Sequence, residues 1–235
     1  MAPLSSGSPC VTCSGTATCA STTAPGRSGG ASWASPSRSN GDERGAVRAS
    51  LASLLEREME ITGPMAAKLF VSSSTRDADL FLIVRVFDPQ GRELTFMGST
   101  DPNTPIANGW LRVSHRRLDP ARSTPYRPWH PHDRVEPLTP GEVYECDVEI
   151  VTSCIVVPAG WRVALTVRGK DYEYEGELSE FGKKFHYGTR GTGGMTHADP
   201  DSRPPAVFDN KVTLHAGGQR ESYLLLPIIP PTGGA

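Results

Sequence analysis

The stretch Val143-Tyr-Glu-Cys-Asp-Val-Glu-Ile150 decides the fold class, because its apolar and charged residues alternate. Side chains point to opposite faces of a β-strand in turn, so this period of two predicts a strand with one dry and one wet face. Cys146 is then a small core residue rather than a reactive thiol. Arg162–Arg168 alternates in the same way. If the two strands pair antiparallel, the acidic row lies opposite the basic row.

Six further runs have the composition of strands. They are Ala67–Ser73, Asp79–Asp88, Glu93–Ser99, Trp110–His115, Ala206–His215 and Ser222–Ile229. Asp79–Asp88 is apolar at nearly every position, which predicts a central strand covered on both faces. About eight short strands without a long amphipathic helix between them predict an all-β protein, a jelly-roll β-sandwich. Arg116–Pro140 and Asp171–Pro205 are predicted to be long loops between strands.

The N-terminal part has a different composition. Thirty of the first 40 residues are Ser, Thr, Gly, Ala or Pro, and such a segment cannot bury a core. We therefore predict a disordered low-complexity arm over residues 1–45, a connecting segment over 46–60 and the β-sandwich over 61–232. Within Ala46–Met59 the leucines have helical spacing, so a short helix and an extended entry are both open. No basic stretch precedes an apolar one at the start, so we expect a cytoplasmic protein.

Charge and hydropathy narrow the class of partner. The chain has 24 basic and 26 acidic residues and a formal charge of -2, which gives no field to gather nucleic acid or anionic lipid. The longest apolar runs, such as Leu224–Ile229, are far shorter than the roughly 20 residues that span a bilayer. We therefore expect neither nucleic acid nor a membrane as a partner.

A search for catalytic and metal-binding motifs returns no complete set. The one Gly-x-Ser-x-Gly match, Gly26-Arg-Ser-Gly-Gly30, lies in the low-complexity N-terminal part and lacks the strand and helix that flank the nucleophile of a serine hydrolase, so we assign no catalytic residue. His130-Pro-His-Asp133 resembles half of a metal-binding motif, but no later histidine cluster completes it, and we predict no metal and no cofactor. Gly188–Gly194 lacks the flanking strand and helix of a phosphate loop. Asp77 and Asp79 begin a central strand, where they can bond their own backbone.

The cysteines do not form a disulfide framework, because their number is odd, at five. Three of them, Cys10, Cys13 and Cys19, lie in the predicted arm. The pair Cys10 and Cys13 has the spacing of zinc and redox motifs, but no second pair follows. Free thiols are the favoured interpretation.

The densest group of specific side chains is Gly109–Pro120 with the loop that follows it. Trp110, Arg112, His115 and Trp129 can line a cleft or contact another domain, because Trp and Arg are enriched at such contacts. The alternative is a Trp-anchored strand with a solvated basic edge, and both interpretations stay open.

Five short motifs in series resemble one known family. They are Ile61-Thr-Gly-Pro64, Asp77-Ala-Asp-Leu-Phe-Leu82, Gly109-Trp-Leu-Arg-Val-Ser-His-Arg116, Leu138-Thr-Pro-Gly-Glu142 and Val157-Pro-Ala-Gly-Trp-Arg162. In this order and spacing the chain resembles, from about residue 61 to 229, the C-terminal domain of the Xaa-Pro dipeptidyl-peptidase and cocaine-esterase-like acyl esterase family.

The resemblance implies a jelly roll of the galactose-binding-like kind and a two-part serine hydrolase. In that family an α/β-hydrolase domain with a Ser, Asp and His triad precedes the sandwich, and no residue of this chain matches the triad. The resemblance therefore implies that the partner is an α/β-hydrolase domain, through which a peptide or ester substrate is bound. We expect the chain to be a fragment of such an enzyme.

Two other functions stay open at the level of sequence. One is a free-standing carbohydrate-binding module that uses Tyr126, Trp129 and the acidic stretch Asp171–Glu180. The other is a nonfunctional remnant whose exposed contact face favours aggregation.

Overall fold

The computed structural model describes residues 10–13, 19–22, 49–98, 101, 103–174, 191, 196–197, 199–217 and 219–230. The strands are β1 (Cys10–Cys13), β2 (Cys19–Thr22), β3 (Ala49–Leu54), β4 (Met59–Ser73), β5 (Asp79–Phe87), β6 (Glu93–Leu94), β7 (Ala107–Arg112), β8 (Tyr144–Val157), β9 (Arg162–Arg168), β10 (Val212–His215), β11 (Tyr223–Leu225) and β12 (Ile228–Ile229). A 3₁₀ turn follows β7 at Val113–His115, and one helical turn, α1, covers Pro205–Phe208.

All strand pairs are antiparallel, in the order β2-β1-β11-β4-β8-β7-β5-β9-β3, with β10 and β12 also on β4 and β6 on β5. The sheet curls between β8 and β7, which are joined by the single pair Gly109 and Ile150. The inward faces of the two halves share one apolar core. The predicted all-β fold is confirmed; its jelly-roll and galactose-binding-like type stays a prediction.

The core fills the space between the β4–β8 half and the β5–β9 half. Its members include Leu69, Leu80, Leu82, Val84, Cys146, Val148 and Leu165. On the opposite face of β5, Phe81 and Ile83 form a second buried cluster with Tyr172. The prediction that the run from Asp79 is covered on both faces is confirmed, and Cys146 is fully buried as predicted.

A bulge divides β8 into two parts. Opposite it, the register on β4 shifts between Gly63 and Met65. Even-numbered residues up to Ile150 point into the core, whereas Val157 is the buried residue at the end of the strand. A β-bulge adds one residue to one strand and so changes which residues face inward. The bulge lets β8 extend well beyond the predicted end at Ile150.

The antiparallel pairing of β8 with β9 that the sequence analysis considered does not occur among the described strands. β8 pairs with β4 and β7, and β9 pairs with β5 and β3. The chain crosses to the other half of the sheet at the turn before β9, where Gly160 has φ of 80°. On the wet face of β8, Lys68 from β4 forms ion pairs with Glu145 and Asp147, so the acidic row has a partner from β4 instead of from β9.

Other predicted elements differ at their ends. Among the described residues of Glu93–Ser99, which end at Gly98, Glu93–Leu94 form a strand, and Trp110–His115 ends in the 3₁₀ turn. Ala206–His215 begins in α1 rather than in a strand, because Pro205 starts a helical turn. Of the two alternatives for Ala46–Met59, the extended one describes β3, which pairs with β9.

The domain boundaries at 45 and 60 stay predictions. β1 and β2 fall within the predicted arm, β1 pairs with β11, and the rest of the arm before residue 49 lies outside the described residues. Nothing in the described part of the chain is a helix long and apolar enough to cross a membrane. The cytoplasmic location stays a prediction.

Candidate domain-contact surface

Trp110 and Arg112 lie on the outer face of β7. They are two residues apart on the strand and therefore point to the same side. The register with β5 sets Trp110 opposite Phe81 and Arg112 opposite Asp79. Two of the four predicted contact residues are thus held side by side by strand geometry alone.

Arg112 is fixed by a buried carboxylate. Its Nε and Nη2 donate hydrogen bonds to the two oxygens of Asp79 at 2.9 and 3.1 Å, and Nε of Arg203 adds a third at 2.7 Å. The bonds to Asp79 raise the pKa of the Arg112 guanidinium above its usual value. Phe208 from α1 lies with its ring 4.5 Å from the guanidinium carbon. Arg112 is therefore a rigid positive group whose charge is already balanced.

Trp110 is only half covered. Its side chain is 44% exposed, and the ring of His197 lies 5.9 Å away, between it and Phe81. His197 is held by Asp171, which accepts hydrogen bonds from its backbone N–H at 2.6 Å and from Nδ1 at 2.9 Å. The free part of the indole is available to another surface.

An open groove of about 450 Å³ runs beside Trp110, where β7 and β8 diverge beyond Gly109. Its walls include Phe96, Thr104, Asn108, Val151 and Cys154, and none of its lining residues is charged. Phe96 is 41% and Val151 54% exposed. Exposed apolar side chains gathered around one groove are typical of a contact surface.

Beside the groove, β7 and β8 share one bridge pair, Gly109 with Ile150. A Cβ atom on Gly109 would lie 2.5 Å from the carbonyl oxygen of Glu149 and 2.9 Å from Cγ1 of Ile150. Only glycine permits this approach.

His115 lies in a cluster of three histidines. Its ring centroid is 5.2 Å from that of His132, which is 6.0 Å from that of His130. Nδ1 of His115 is buried without a hydrogen-bond partner. Burial and the neighbouring imidazoles lower the pKa of His132, whose backbone has φ of 53°.

His130 attaches the Pro-rich loop, residues Arg116–Pro140, to the sheet. Its Nδ1 lies 3.1 Å from the carbonyl oxygen of His115, and its Nε2 lies 2.9 Å from that of Asp147 on β8. The Pro-rich loop is therefore attached to both the turn after β7 and the first part of β8.

Trp129 is half-buried under an arginine. The guanidinium carbon of Arg122 lies 4.0 Å from the centre of its ring, and its backbone N–H donates to Oγ of Ser123 at 2.9 Å. One aromatic face is thus already occupied. Tyr126, the other aromatic residue of the loop, is 47% exposed.

The four predicted contact residues form two groups. Trp110 and Arg112 share the outer face of β7, and His115 and Trp129 lie at the Pro-rich loop. Sequence reasoning missed Phe96, Val151 and Cys154. The uncharged run that begins at Val151 could have indicated the last two, whereas Phe96 reaches the groove through an isolated bridge with Thr104.

The other candidate sites are accounted for as follows. Among the described residues no group of three or more His, Cys, Asp or Glu side chains is placed to hold a metal ion. Asp77 accepts hydrogen bonds from the backbone N–H of Ala78 and of Ser114, at 2.8 and 3.0 Å, which confirms its structural role. Of Gly188–Gly194 only Gly191 is described, and it packs against Tyr172. The rest of that segment lies outside the described residues, as do the side chains of Cys10, Cys13 and Cys19.

The described strands form an antiparallel all-β domain around one apolar core. The family described as the X-Pro dipeptidyl-peptidase C-terminal non-catalytic domain matches residues 6–225. The chain belongs to this family, as its resemblance predicted.

Two curated relatives carry names that assign them as serine esterases, one from Mycobacterium bovis and one from Mycobacterium tuberculosis. Each is 30% identical over 122 residues, which is 50% of this chain and 18% of the relative. The matched region therefore spans about a fifth of the length of these proteins.

Solved structures show the same relation. A CocE/NonD family hydrolase from Staphylococcus aureus superimposes with a TM-score of 0.61 at 27% identity, covering 78% of this chain and 33% of that one. An α-amino acid ester hydrolase superimposes with a TM-score of 0.50 at 14% identity, covering 77% and 25%, and shares the fold. The chain is thus a non-catalytic C-terminal domain of the type found in CocE/NonD-like hydrolases.

Proposed function

We propose that this chain is the C-terminal module of a serine hydrolase and that it packs against a separate α/β-hydrolase domain that carries the catalytic triad. The observation that carries the proposal is the match to a non-catalytic family over residues 6–225, joined with the small share, 33%, of the Staphylococcus aureus hydrolase that the chain covers. The remaining two thirds of that hydrolase has room for a catalytic domain.

The substrate class in this proposal is an acyl ester. The family description names X-Pro dipeptidyl-peptidases, but the mycobacterial relatives are named for esterase activity, and the Staphylococcus aureus hydrolase belongs to the CocE/NonD group. An Xaa-Pro peptide bond is the second substrate to test.

The contact surface in this proposal is the outer face of β7 with the Pro-rich loop beside it. Trp110 supplies exposed apolar area, which stabilises a contact by roughly 25 cal/mol per Å² buried. Arg112 is held by Asp79, so little side-chain entropy is lost when it is covered. His115 and Trp129 extend the surface along the loop.

The module acts indirectly on the reaction. In the hydrolase domain a serine attacks the substrate carbonyl, a histidine transfers the proton, and backbone amides stabilise the oxyanion. The β-sandwich holds that domain and closes one side of the substrate cleft, which excludes water and orients the substrate.

The first experiment tests for activity in the chain itself. The purified chain is treated with a serine-reactive fluorophosphonate probe and assayed with an aryl acetate and a Gly-Pro anilide. We expect a folded protein with no labelling and no turnover. Labelling of one serine together with turnover would overturn the assignment to a non-catalytic module.

The second experiment tests the partner. The DNA upstream of this coding sequence is read for an α/β-hydrolase frame, and the domain it encodes is titrated with the chain. We expect binding to weaken at least tenfold with Trp110→Ala and to change little with Ile229→Ala, since Ile229 is 41% exposed but lies on β12, which pairs with β4. The lack of a hydrolase frame, or equal losses for both variants, would contradict the proposal.

A further inference from the structure

A second pocket, of about 280 Å³, opens beside α1, between the start of β5 and the Pro-rich loop. Arg76 and Asp77 line it from the turn before β5, Arg112 lines it from β7, and Ser114 lines it from the 3₁₀ turn. Its apolar lining residues are Val135, Pro137, Pro204, Val207 and Phe208. We call it the α1 pocket. It combines two guanidinium groups with an apolar wall.

Hydrogen bonds hold the walls of the α1 pocket together. The backbone N–H of Leu138, on the Pro-rich loop, donates to the carbonyl oxygen of Arg76 at 2.7 Å. On the opposite side, Oγ1 of Thr75 donates to the carbonyl oxygen of Val207 on α1 at 2.6 Å. The pocket is therefore formed before a ligand enters, and such preorganisation lowers the entropic cost of binding.

The carboxylate of Asp77 is occupied by neutral donors. Its Oδ1 accepts hydrogen bonds from the backbone N–H groups of Ala78 and Ser114, and its Oδ2 accepts one from Oγ of Ser114 at 2.7 Å. Arg76 is exposed and forms no ion pair with any residue that the structure describes. Its guanidinium group is therefore free to bind a ligand at the pocket.

The arginines of the α1 pocket outnumber the carboxylates beside them. Asp79 accepts hydrogen bonds from both Arg112 and Arg203, so one carboxylate serves two guanidinium groups. With Arg76 and Asp77 added, three positive charges stand against two negative charges, and one positive charge remains. Nη1 of Arg112 makes no hydrogen bond to a described residue and can donate to a ligand.

We propose that the α1 pocket binds the carboxylate group of a small molecule that has an apolar body. A guanidinium group presents parallel N–H donors that match the two oxygens of a carboxylate. One excess positive charge suits a monocarboxylate, and the apolar walls suit a hydrocarbon or aryl body. The pocket is built from this chain alone, so the proposal stands independently of the proposed hydrolase partner.

Ligand titrations of the whole isotope-labelled chain, followed by NMR, test the proposal with benzoate as the probe. We expect saturable shifts of the backbone amide signals of Ser114 and Val207. Benzamide has the same ring without the charge, and we expect it to bind about tenfold more weakly, because it lacks the charged hydrogen bonds. Acetate has the charge without the ring, and it should also bind more weakly than benzoate. No saturable shifts with benzoate, or equal affinities for benzoate and benzamide, would overturn the proposal.

The variant Arg76→Gln tests the guanidinium group. We expect it to weaken benzoate binding about tenfold, and circular dichroism checks that it is folded. Arg92→Gln is the matched control, because it changes the net charge equally, its side chain is 81% exposed, and it lies between β5 and β6, beyond the other end of β5. We expect Arg92→Gln to leave benzoate binding unchanged. Equal losses in both variants would show that benzoate responds to net charge and would overturn the site.

A glutamate side chain of another protein carries the same carboxylate group, and a further titration separates this source from a small molecule. The ligand is glutamate blocked at both ends, as N-acetyl and amide. We expect it to bind more weakly than benzoate, because its polar amide groups meet the apolar walls of the α1 pocket. Tighter binding of blocked glutamate than of benzoate would overturn the small-molecule assignment.

Discussion

Arg112 on β7 donates two hydrogen bonds to the carboxylate of Asp79 on the neighbouring strand β5, at 2.9 and 3.1 Å. The Asp79 side chain is 6% exposed and that of Arg112 is 26% exposed. A carboxylate this far from water is stable only while cations remain bound to it. The pair therefore fixes the outer face of β7 before any partner is present.

Removing the cation should destabilise the domain. We expect Arg112→Ala to lower the free energy of unfolding by about 2 to 3 kcal/mol, less than for a wholly isolated charge because Arg203 still contacts Asp79. Urea unfolding followed by tryptophan fluorescence measures the change. Arg134→Ala is the control, because the Arg134 side chain is 62% exposed and its ion pair is worth less than about 1 kcal/mol. Equal losses would show that the burial of Asp79 has no energetic role.

Gly109 should not tolerate a side chain. A Cβ atom would overlap the carbonyl oxygen of Glu149 at 2.5 Å, so Gly109→Ala is expected to separate β7 from β8 and to cost about 2 kcal/mol or more. Gly91→Ala is the comparison, since Gly91 has open space around it and φ of 82°, and there we expect only the conformational cost of about 1 kcal/mol. The melting temperatures of both variants measure these costs. A smaller loss of stability at Gly109 than at Gly91 would contradict the close approach of β8 to Gly109.

The alternation of apolar and polar residues predicts which face of a strand is buried, but not which strand pairs with it. In Tyr144–Ile150 every second residue is apolar, and Cys146, Val148 and Ile150 of this strand are buried in the core. A period of two specifies which side chains point inward, but it says nothing about which strand lies alongside. The pairing of β8 with β4 depends on the turn at Gly160 and on Lys68, which the alternation does not contain.

Two features of the sequence make β8 and β4 longer than their residue patterns predict. The bulge in β8 changes which residues face inward after Ile150, so the run to Val157 does not continue the earlier pattern. In β4 the pair Gly63 and Pro64 has the composition of a turn, yet it lies inside a strand that begins at Met59. Gly63 adopts φ of 135° beside the bulge, a conformation open to glycine.

The contact surface stays a prediction that rests on residue type. Trp110 is included because Trp is enriched at contacts between proteins, and its side chain is 44% exposed. Phe96 was missed, because its position depends on the hydrogen bonds of its backbone with Thr104, at 2.7 and 3.0 Å, that bring a distant loop to the groove. Tertiary placement of this kind has no local signature.

The two described free cysteines should differ in reactivity. Burial raises the pKa of the Cys146 thiol to about 12, so at pH 8 only about one molecule in ten thousand carries the reactive thiolate. Cys154 is exposed. Iodoacetamide labelling of the native protein, followed by peptide mapping, is expected to modify Cys154 and to modify Cys146 only after denaturation. Equal labelling of both in the native state would show that the core around Cys146 opens readily.

Acid should destabilise the Pro-rich loop through His132. Burial, His115 and His130 lower the pKa of His132 below its usual 6.5, so the unfolded chain binds this proton more readily than the folded one. Stability is therefore full above about pH 6.5 and falls as the pH drops through the lowered value of the folded state. Burial and Arg220 also lower the pKa of His215, which adds to the loss with the same sign.

The variant His132→Asn removes the titrating group and keeps a residue that tolerates φ of 53°. We expect its free energy of unfolding to change less between pH 7 and pH 5 than that of the wild type, with the residual slope due to His215. Asp133 lies next to His132, and its ion pair with Arg117 lowers the pKa of the Asp133 carboxyl. Any stability lost on protonating Asp133 is therefore lost at a lower pH, and it does not obscure the difference between His132→Asn and the wild type. Urea unfolding at several pH values measures both slopes, and identical slopes would contradict a folded-state cost of protonating His132.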